Sequence, residues 1–202
     1  MQSILFKIAF SLCLLVFVSC SNNTQEQNLS ESPQRDLKAL TLQTENGQIL
    51  TIAIQKEREF AALETQDSIW KHLNVTDAAQ NLKILVFFTT WCDPCKGILP
   101  HLENLKNQFS DKIAFFGIPV DDLVGEMEDF KESIQIFNEE NSFKIPLILD
   151  ENRTKLFKAL GGIEGVPLIA MYGENGEYIM HYLGAVPEEM IEFDLTQHLK
   201  EQ

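Results

Sequence analysis

The chain has 202 residues, of which 45% are hydrophobic and 23% charged, and its formal net charge is −14. This composition is typical of one globular domain with additional segments, and the excess of acidic residues makes nucleic acid and anionic membrane surfaces poor candidates for binding partners. Two of the four cysteines, Cys13 and Cys20, lie near the N-terminus. The remaining pair, Cys92 and Cys95, therefore cannot belong to a framework of several structural disulfides.

The N-terminal segment has the pattern of an export signal. Lys7 is the only charged residue among the first 25, and residues 8–18 form an apolar block that is short for a membrane span but typical of a signal-peptide core. The following Ser-Cys pair resembles a bacterial lipobox, although Phe17 stands where that motif usually has leucine. We predict a lipoprotein-type signal peptide over residues 1–19 and a lipid on Cys20. An uncleaved anchor and ordinary cleavage nearby are the alternatives, and each of them also exports the domain.

The polar stretch after the signal predicts a tether. Residues 21–36 contain one strongly apolar side chain, Leu29, and cannot contribute to a hydrophobic core. We therefore assign residues 20–36 to a flexible tether and residues 37–202 to a single folded domain in the bacterial cell envelope.

The folded part begins with a predicted β-hairpin. Residues 37–43 and 48–55 alternate apolar and polar side chains around Asn46-Gly47, which is a strong turn signal. The charged and mixed stretch 57–73 predicts either a helix or a loop with a helical turn.

The central motif is Trp91-Cys92-Asp93-Pro94-Cys95. It follows a nearly continuous apolar run, residues 83–88, which predicts a strand buried on both faces. Apolar residues then recur at helical spacing, so the two cysteines fall at the start of a helix: Ile98, Leu99, Leu102, Leu105 and Phe109. Free N–H groups and the helix dipole favour a thiolate on the first cysteine, which suits thiol–disulfide exchange.

Three other interpretations of the cysteine pair fit the sequence less well. A structural staple across so short a loop contributes little stability. A zinc or copper site needs partner ligands, and the sequence has no second CxxC and no paired histidines; His101 falls on the other side of the helix. Covalent haem attachment needs histidine directly after Cys95, where the chain has Lys96. Redox chemistry is the interpretation that fits best, with no metal expected.

The rest of the chain predicts alternating strands and helices around a mixed sheet. After the CxxC helix we expect the following elements, in chain order: a strand at 112–120, a helical unit at 121–141, a strand at 145–149, a helix at 151–160 ended by Gly161-Gly162, a strand at 165–172, a hairpin to 177–183 through Asn175-Gly176, and a final helix opened by Pro187.

This order of motifs resembles the thioredoxin superfamily, in particular its exported, membrane-tethered TlpA/ResA/DsbE-like thiol–disulfide oxidoreductases. The resemblance covers about residues 37–202 and rests on the Trp-Cys-x-Pro-Cys-Lys motif and on Gly165-Val166-Pro167 leading into a strand. It implies an α/β thioredoxin-like fold: a mixed central sheet covered by helices, an N-terminal hairpin, and a helix–strand insert between the CxxC helix and the cis-proline strand.

The resemblance also implies roles for individual residues. Cys92 is the nucleophile, and Cys95 is the resolving thiol that forms the redox-active disulfide with it. Pro167 is expected to be a cis-proline against the disulfide, with the backbone of Val166 open to a substrate strand. Trp91 and Pro94 complete the substrate-binding surface.

One departure from plain thioredoxins leaves the proton acceptor for Cys95 open. Where thioredoxins have a buried aspartate in the strand before the motif, this chain has Val86. Asp93, inside the motif, and Glu164, before the proline, are the two candidates. Asp93 is equally well explained as a favourable first-turn residue of the helix, and Glu164 is better explained as an ordinary loop carboxylate.

The expected function is an extracytoplasmic disulfide reductase. Its substrates are expected to be protein disulfides, with apocytochrome c implied by the resemblance. No nicotinamide or flavin fingerprint is visible, so no cofactor is expected and electrons have to come from a membrane thiol relay. Two rivals remain: a peroxiredoxin-like thiol peroxidase, since Thr89 and Cys92 form a Thr-x-x-Cys, and a non-enzymatic metal or haem chaperone.

Overall fold

The computed structural model describes residues 37–55, 73–76, 80–125, 127, 129–141 and 143–200. The predicted signal peptide, the tether with Cys20, and the uncertain stretch 57–72 lie outside the described residues. Within the described part of the chain, no helix has both the length and the hydrophobicity needed to cross a bilayer.

The strands form two sheets. The first is antiparallel and consists of β1 (Leu37–Gln43), β2 (Ile49–Gln55) and β3 (Leu73–Thr76), in that order. The second has the order β5-β4-β6-β7 and is mixed, because β4 pairs with β5 in parallel and with β6 antiparallel. Its strands are β4 (Leu82–Phe88), β5 (Ile113–Pro119), β6 (Leu168–Tyr172) and β7 (Tyr178–Leu183).

Five helices occupy the described residues outside the sheets: α1 (Asp93–Gln108), α2 (Asp121–Val124), α3 (Phe130–Asn141), α4 (Asn152–Ala159) and α5 (Glu188–Lys200). One apolar cluster joins a face of the mixed sheet to α1, α3 and α5. A second cluster joins the opposite face to α4 and to the three-stranded sheet. The mixed sheet is therefore covered on both sides, as the sequence predicts.

Strand β4 shows why the sequence there is apolar at every position except Lys83. All seven of its residues are buried. Ile84, Val86 and Phe88 point into the cluster with α1, whereas Leu85 and Phe87 point into the cluster with the three-stranded sheet. A central strand covered on both faces has no position for a solvated side chain.

The N-terminal hairpin is confirmed, and Gly47 at its turn has a φ of 84°, which favours glycine. The sequence reading missed β3. Val75 donates its backbone N–H to Gly176 at 2.9 Å, so this strand ties the first sheet to the turn between β6 and β7. The four residues of β3 follow an ambiguous stretch and are too few to show the alternation of apolar and polar side chains that identifies a strand.

The insert after β5 differs from the prediction in two ways. The helical unit divides into α2 and α3, since Gly125 has extended backbone geometry and ends α2. The predicted strand at residues 145–149 is wrong as a strand: it makes only isolated bridges, Leu147 to Gly117 and Ile148 to Thr44. Pro146 has no backbone N–H to donate to a ladder. The strand predicted from residue 165 begins instead at Leu168.

Arg153 joins the insert to the sheet. Its buried guanidinium donates to both carboxylate oxygens of Asp122, at 2.7 and 2.6 Å, and to the carbonyl of Pro119 at 3.0 Å. Its charged group also lies 4.2 Å from the centre of the Phe130 ring. One side chain of α4 therefore fastens the end of β5 and the first turns of α2 and α3.

Tyr172 yields a prediction about stability. Its hydroxyl is buried and has no hydrogen-bond partner among the described residues, and burial raises the pKa of Tyr172 well above the ordinary tyrosine value. Replacing Tyr172 by phenylalanine removes this unsatisfied group, so we expect the free energy of unfolding at neutral pH to rise by about 1 kcal/mol. In the wild type, the raised native pKa contributes stability below pH ~10 that is lost above it. Chemical denaturation from pH 7 to 11 should show a smaller alkaline loss in Tyr172→Phe.

Tyr178→Phe is the matched control for this experiment. Its hydroxyl makes a 2.8 Å hydrogen bond with Nδ1 of His181, so we expect a loss of roughly 0.5–1.5 kcal/mol. A Tyr172→Phe protein that is less stable than the wild type at neutral pH would contradict the prediction.

Candidate functional site

The cysteine pair lies where β4 leads into α1. Cys92 is the N-cap residue of α1, with extended backbone geometry, and Pro94 occupies the first turn, where a missing N–H costs nothing. Cys92 and Cys95 form a disulfide whose Cα atoms are 5.2 Å apart. The predicted position of both cysteines at a helix start is confirmed.

The sulfur of Cys92 occupies the place of a capping oxygen. The backbone N–H of Cys95 donates to Cys92 Sγ at 3.1 Å, and the backbone N–H of Lys96 donates to the Cys92 carbonyl at 3.1 Å. In the reduced protein a thiolate at the same position would accept this N–H and lie at the positive end of the helix dipole. The site is therefore built to favour the thiolate of Cys92.

The two sulfurs differ in accessibility. Cys92 is 6% exposed to solvent, whereas Cys95 is 0% exposed. Trp91, directly before the pair, is 58% exposed and presents an apolar ring at the surface. An incoming sulfur consequently reaches Cys92 and not Cys95, which is the order of events that thiol–disulfide exchange requires.

The Val166-Pro167 peptide bond is cis, as predicted. The carbonyl oxygen of Val166 lies 3.7 Å from Cys92 Sγ, so the segment before β6 contacts the disulfide directly. Val166 is partly exposed and Pro167 is buried. The predicted pairing of a substrate strand with Val166 remains a prediction.

The two candidate proton acceptors both lie at the surface. Asp93 is 93% exposed, and its carboxylate is 3.8 Å from the ammonium of Lys96. Glu164 is also exposed. Val86, by contrast, is fully buried in the same apolar cluster as both cysteines. Among the described residues, neither carboxylate has a hydrogen bond to the cysteine pair, and their role as proton acceptors remains a prediction.

Sequence reasoning missed Asp121. This aspartate is 1% exposed and follows the end of β5, which is the parallel neighbour of β4. Its Oδ1 accepts the backbone N–H of Thr90 at 2.7 Å and the Thr90 hydroxyl at 2.6 Å. Because parallel strands end at the same edge of a sheet, an acidic residue directly after the second buried strand was the available signal. From the sequence, Asp121 is expected only to begin the helical unit at 121–141.

No group of three or more histidine, cysteine, aspartate or glutamate side chains in the described part of the chain is arranged to hold a metal ion.

The fold and this site together define a protein of the thioredoxin superfamily. Residues 55–182, more than half of the chain, match the AhpC/TSA family, and the chain belongs to that family. The recognition made from the motifs is thereby confirmed.

Individual relatives agree with this assignment. The thiol-disulfide oxidoreductase ResA of Halalkalibacterium halodurans is 23% identical over 108 residues, which are 54% of this chain and 57% of that protein. The chain spans less than two thirds of the length of the first curated relatives that it matches.

Solved structures confirm the fold. StoA from Bacillus subtilis superposes with a TM-score of 0.54 and 19% identity, covering 79% of this chain and 97% of that one. The exposed lipoprotein thioredoxin Etrx1 from Streptococcus pneumoniae gives a TM-score of 0.52 and 15% identity, covering 79% and 99% respectively. At these identities the likeness establishes the thioredoxin-like architecture.

Asp93 yields a prediction about the redox equilibrium. Its negative charge next to Cys92 opposes the thiolate, which disfavours the reduced form and makes the dithiol a better reductant. We expect a potential at or below roughly −270 mV, the value of thioredoxin. Asp93→His should raise the potential by roughly 15–30 mV, about three- to tenfold in the equilibrium constant, because exposure limits the effect of the charge. Equilibration with glutathione at fixed pH measures both values.

The control is Asp111→His, which makes the same change of charge at an exposed site beyond the other end of α1. Its potential should equal that of the wild type. A wild-type potential near −120 mV, the value of a strong oxidant, would reverse the predicted direction of electron flow.

Proposed function

We propose that the protein is an extracytoplasmic thiol–disulfide oxidoreductase that reduces protein disulfides through Cys92 and Cys95. The observation that carries the proposal is the asymmetry of the pair: Cys92 caps α1 at the edge of the site, and Cys95 is completely buried behind it. A nucleophile must be reachable, whereas a resolving thiol must be reachable only from the mixed disulfide.

The proposed reaction has two exchange steps. The Cys92 thiolate attacks one sulfur of the substrate disulfide, and the other substrate sulfur leaves as a thiolate and takes up a proton. The Cys95 thiol then loses its proton, attacks Cys92 Sγ, and releases the second substrate sulfur as a thiol. The substrate gains two electrons and two protons, and the Cys92–Cys95 disulfide is formed. Asp93 and Glu164 are the candidates to receive the proton of Cys95.

The substrate surface consists of Trp91, Pro94 and Val166, with the buried Pro167 next to Val166 fixing the course of that backbone. The exposed indole of Trp91 and the Val166 carbonyl next to Cys92 Sγ flank Cys92, the reachable cysteine of the pair. This arrangement suits an extended polypeptide around a disulfide better than a small disulfide alone. Apocytochrome c is the substrate that the resemblance to ResA-like proteins favours, and the resulting disulfide would be reduced again by a membrane thiol relay.

The cellular location rests on the N-terminal sequence. Residues 1–19 have the pattern of a signal peptide, Cys20 is placed for lipidation, and residues 20–36 are long enough to act as a tether. The similar fold of Etrx1, an exposed lipoprotein thioredoxin, supports the proposal. The domain would then work in the bacterial cell envelope, facing the periplasm.

A thiol peroxidase is the second candidate, favoured by membership of the AhpC/TSA family and by the Thr-x-x-Cys sequence ending in Cys92. A peroxidase needs Cys92 as a free thiolate that reacts with peroxide, and Cys95 would resolve the sulfenic acid. Pairing with a cysteine only three residues away fits exchange with substrate disulfides better. A metal or haem chaperone would instead bind its cargo stoichiometrically on the reduced pair.

Cys95→Ser is the decisive variant for the activity. Without the resolving thiol, the mixed disulfide on Cys92 cannot be released, so we expect turnover to be lost and exported proteins to remain covalently attached. Non-reducing electrophoresis and mass spectrometry of cell-envelope extracts identify these adducts. Cys92→Ser is the control and should trap nothing, although it keeps one thiol.

Peroxide consumption separates the two enzymatic candidates. If purified Cys95→Ser reacts rapidly and stoichiometrically with peroxide and traps no protein, the peroxidase is the correct function. Stoichiometric metal or haem on the reduced wild type, without disulfide-reductase activity, would support the chaperone.

Cys20→Ala tests the lipid anchor. Only the Cys20 thiol can accept the diacylglyceryl group, so we expect complete loss of fatty-acid labelling and a shift of the protein from the membrane to the soluble fraction if cleavage continues. Cys13→Ala, within the predicted signal peptide, is the control and should keep the label. Unchanged labelling of Cys20→Ala would refute the lipoprotein assignment.

A further inference from the structure

Asp121 is a buried carboxylate attached to the loop that carries the cysteines. It is 1% exposed, and its Oδ1 accepts both donors of Thr90, at 2.7 Å from the backbone N–H and 2.6 Å from the hydroxyl. Thr90 is two residues before Cys92. These hydrogen bonds connect the end of β5 to the loop between β4 and α1.

The second oxygen of the Asp121 carboxylate lowers the stability of the fold. Oδ2 of Asp121 is buried and has no hydrogen-bond partner among the described residues. Burying a carboxylate with one oxygen unsatisfied reduces stability. An energetically unfavourable group bonded to the residue two positions before Cys92 indicates a role in the site.

The loop between β4 and α1 is short, and hydrogen bonds link its residues to one another and to the first turn of α1. Cys92 donates its backbone N–H to the carbonyl of Thr89 at 3.3 Å, and Cys92 Sγ accepts the N–H of Cys95 at 3.1 Å. Fixing Thr90 therefore fixes the residues on either side of it, including the backbone that directs the Cys92 side chain toward the helix N-terminus.

We propose that Asp121 is a positioning residue of the redox site, which holds the Thr90 loop so that the Cys92 sulfur stays in the capping position of α1. In the reduced protein this keeps the Cys92 thiolate within reach of the Cys95 N–H. This positioning role matters for function only if the proposed thiol–disulfide exchange is correct. Its test, however, measures the titration of Cys92 directly and needs no substrate.

The neighbouring charged side chains make their contacts with residues other than Thr90. Asp122 directs both carboxylate oxygens to the guanidinium of Arg153. Asp93 and Lys96 lie on the exposed side of α1 and face each other at 3.8 Å. Asp121 is therefore separable from these groups by substitution.

The experiment compares Asp121→Asn with Asp121→Ala. Both variants lack the negative charge, but asparagine keeps an oxygen that can accept from Thr90 and alanine does not. Relative to Asp121→Asn, we expect Asp121→Ala to have a higher Cys92 thiol pKa and roughly three- to tenfold less thiolate at neutral pH, which is the usual size of the effect of losing a helix cap. The pH dependence of alkylation of the reduced protein measures this. The equilibrium constant with glutathione should shift by the same factor toward the disulfide.

A second pair of variants leaves Asp121 unchanged and alters its partner Thr90. Thr90→Val removes the hydroxyl donor at nearly constant shape, and Thr90→Ser keeps it. We expect the valine variant to shift the Cys92 titration in the same direction as Asp121→Ala, by a smaller factor because the backbone N–H remains, and the serine variant to match the wild type.

Asp122→Asn is the control for stability alone. Asp122 is the neighbour of Asp121 in α2, and this substitution weakens its ion pair with Arg153 of α4. We therefore expect a lower temperature of unfolding and an unchanged Cys92 titration. Identical titrations for Asp121→Ala and Asp121→Asn would overturn the proposal, as would a Cys92 shift in Asp122→Asn equal to that in Asp121→Ala. If the wild type reduces no protein disulfide but the titrations differ as expected, the proposed function fails and the positioning role stands.

Discussion

The burial of β4 on both faces is the constraint on which the rest of the structure depends. Alternate side chains of this strand enter two separate apolar clusters, one shared with α1, α3 and α5 and the other with α4 and the three-stranded sheet. Because removing any layer would expose one row of these side chains to water, the layers stabilise one another through a single strand. The same strand ends at the loop of the redox site, so an element that is buried along its whole length also positions the cysteine pair.

The site gains its properties from the backbone more than from ionisable side chains. An N–H of the first helical turn and a carbonyl of the cis-proline segment contact Cys92 Sγ, while the cluster around Cys95 is apolar and contains Val86. Backbone groups in a packed framework cannot change rotamer or protonation state. The electrostatic environment of the sulfur is therefore determined by the fold, and charged residues such as Asp93 adjust it from outside.

Much of this arrangement follows from local pattern. The nearly continuous apolar run of β4, the helical spacing after Cys92 and the Asn-Gly turn are signals within single elements, and each one was predicted correctly. The features that were missed depend on tertiary partners. Residues 145–149 are apolar and extended, but whether they form a ladder depends on the neighbours they meet. Asp121 looks like any acid at a helix start, and only the parallel arrangement of β4 and β5 brings it to Thr90.

The segment between β5 and α4 is attached at both ends, which limits where its sequence can change. At one end Asp121 and Asp122 are held by Thr90 and Arg153, and at the other the Ile148 N–H donates to the Gly117 carbonyl at 2.8 Å. The residues between these attachments also enter the apolar cluster, through α3 and through Ile145 and Leu147. The exposed face of α3 belongs neither to the attachments nor to the core, so its side chains can change while the sheet and the cysteines stay in place.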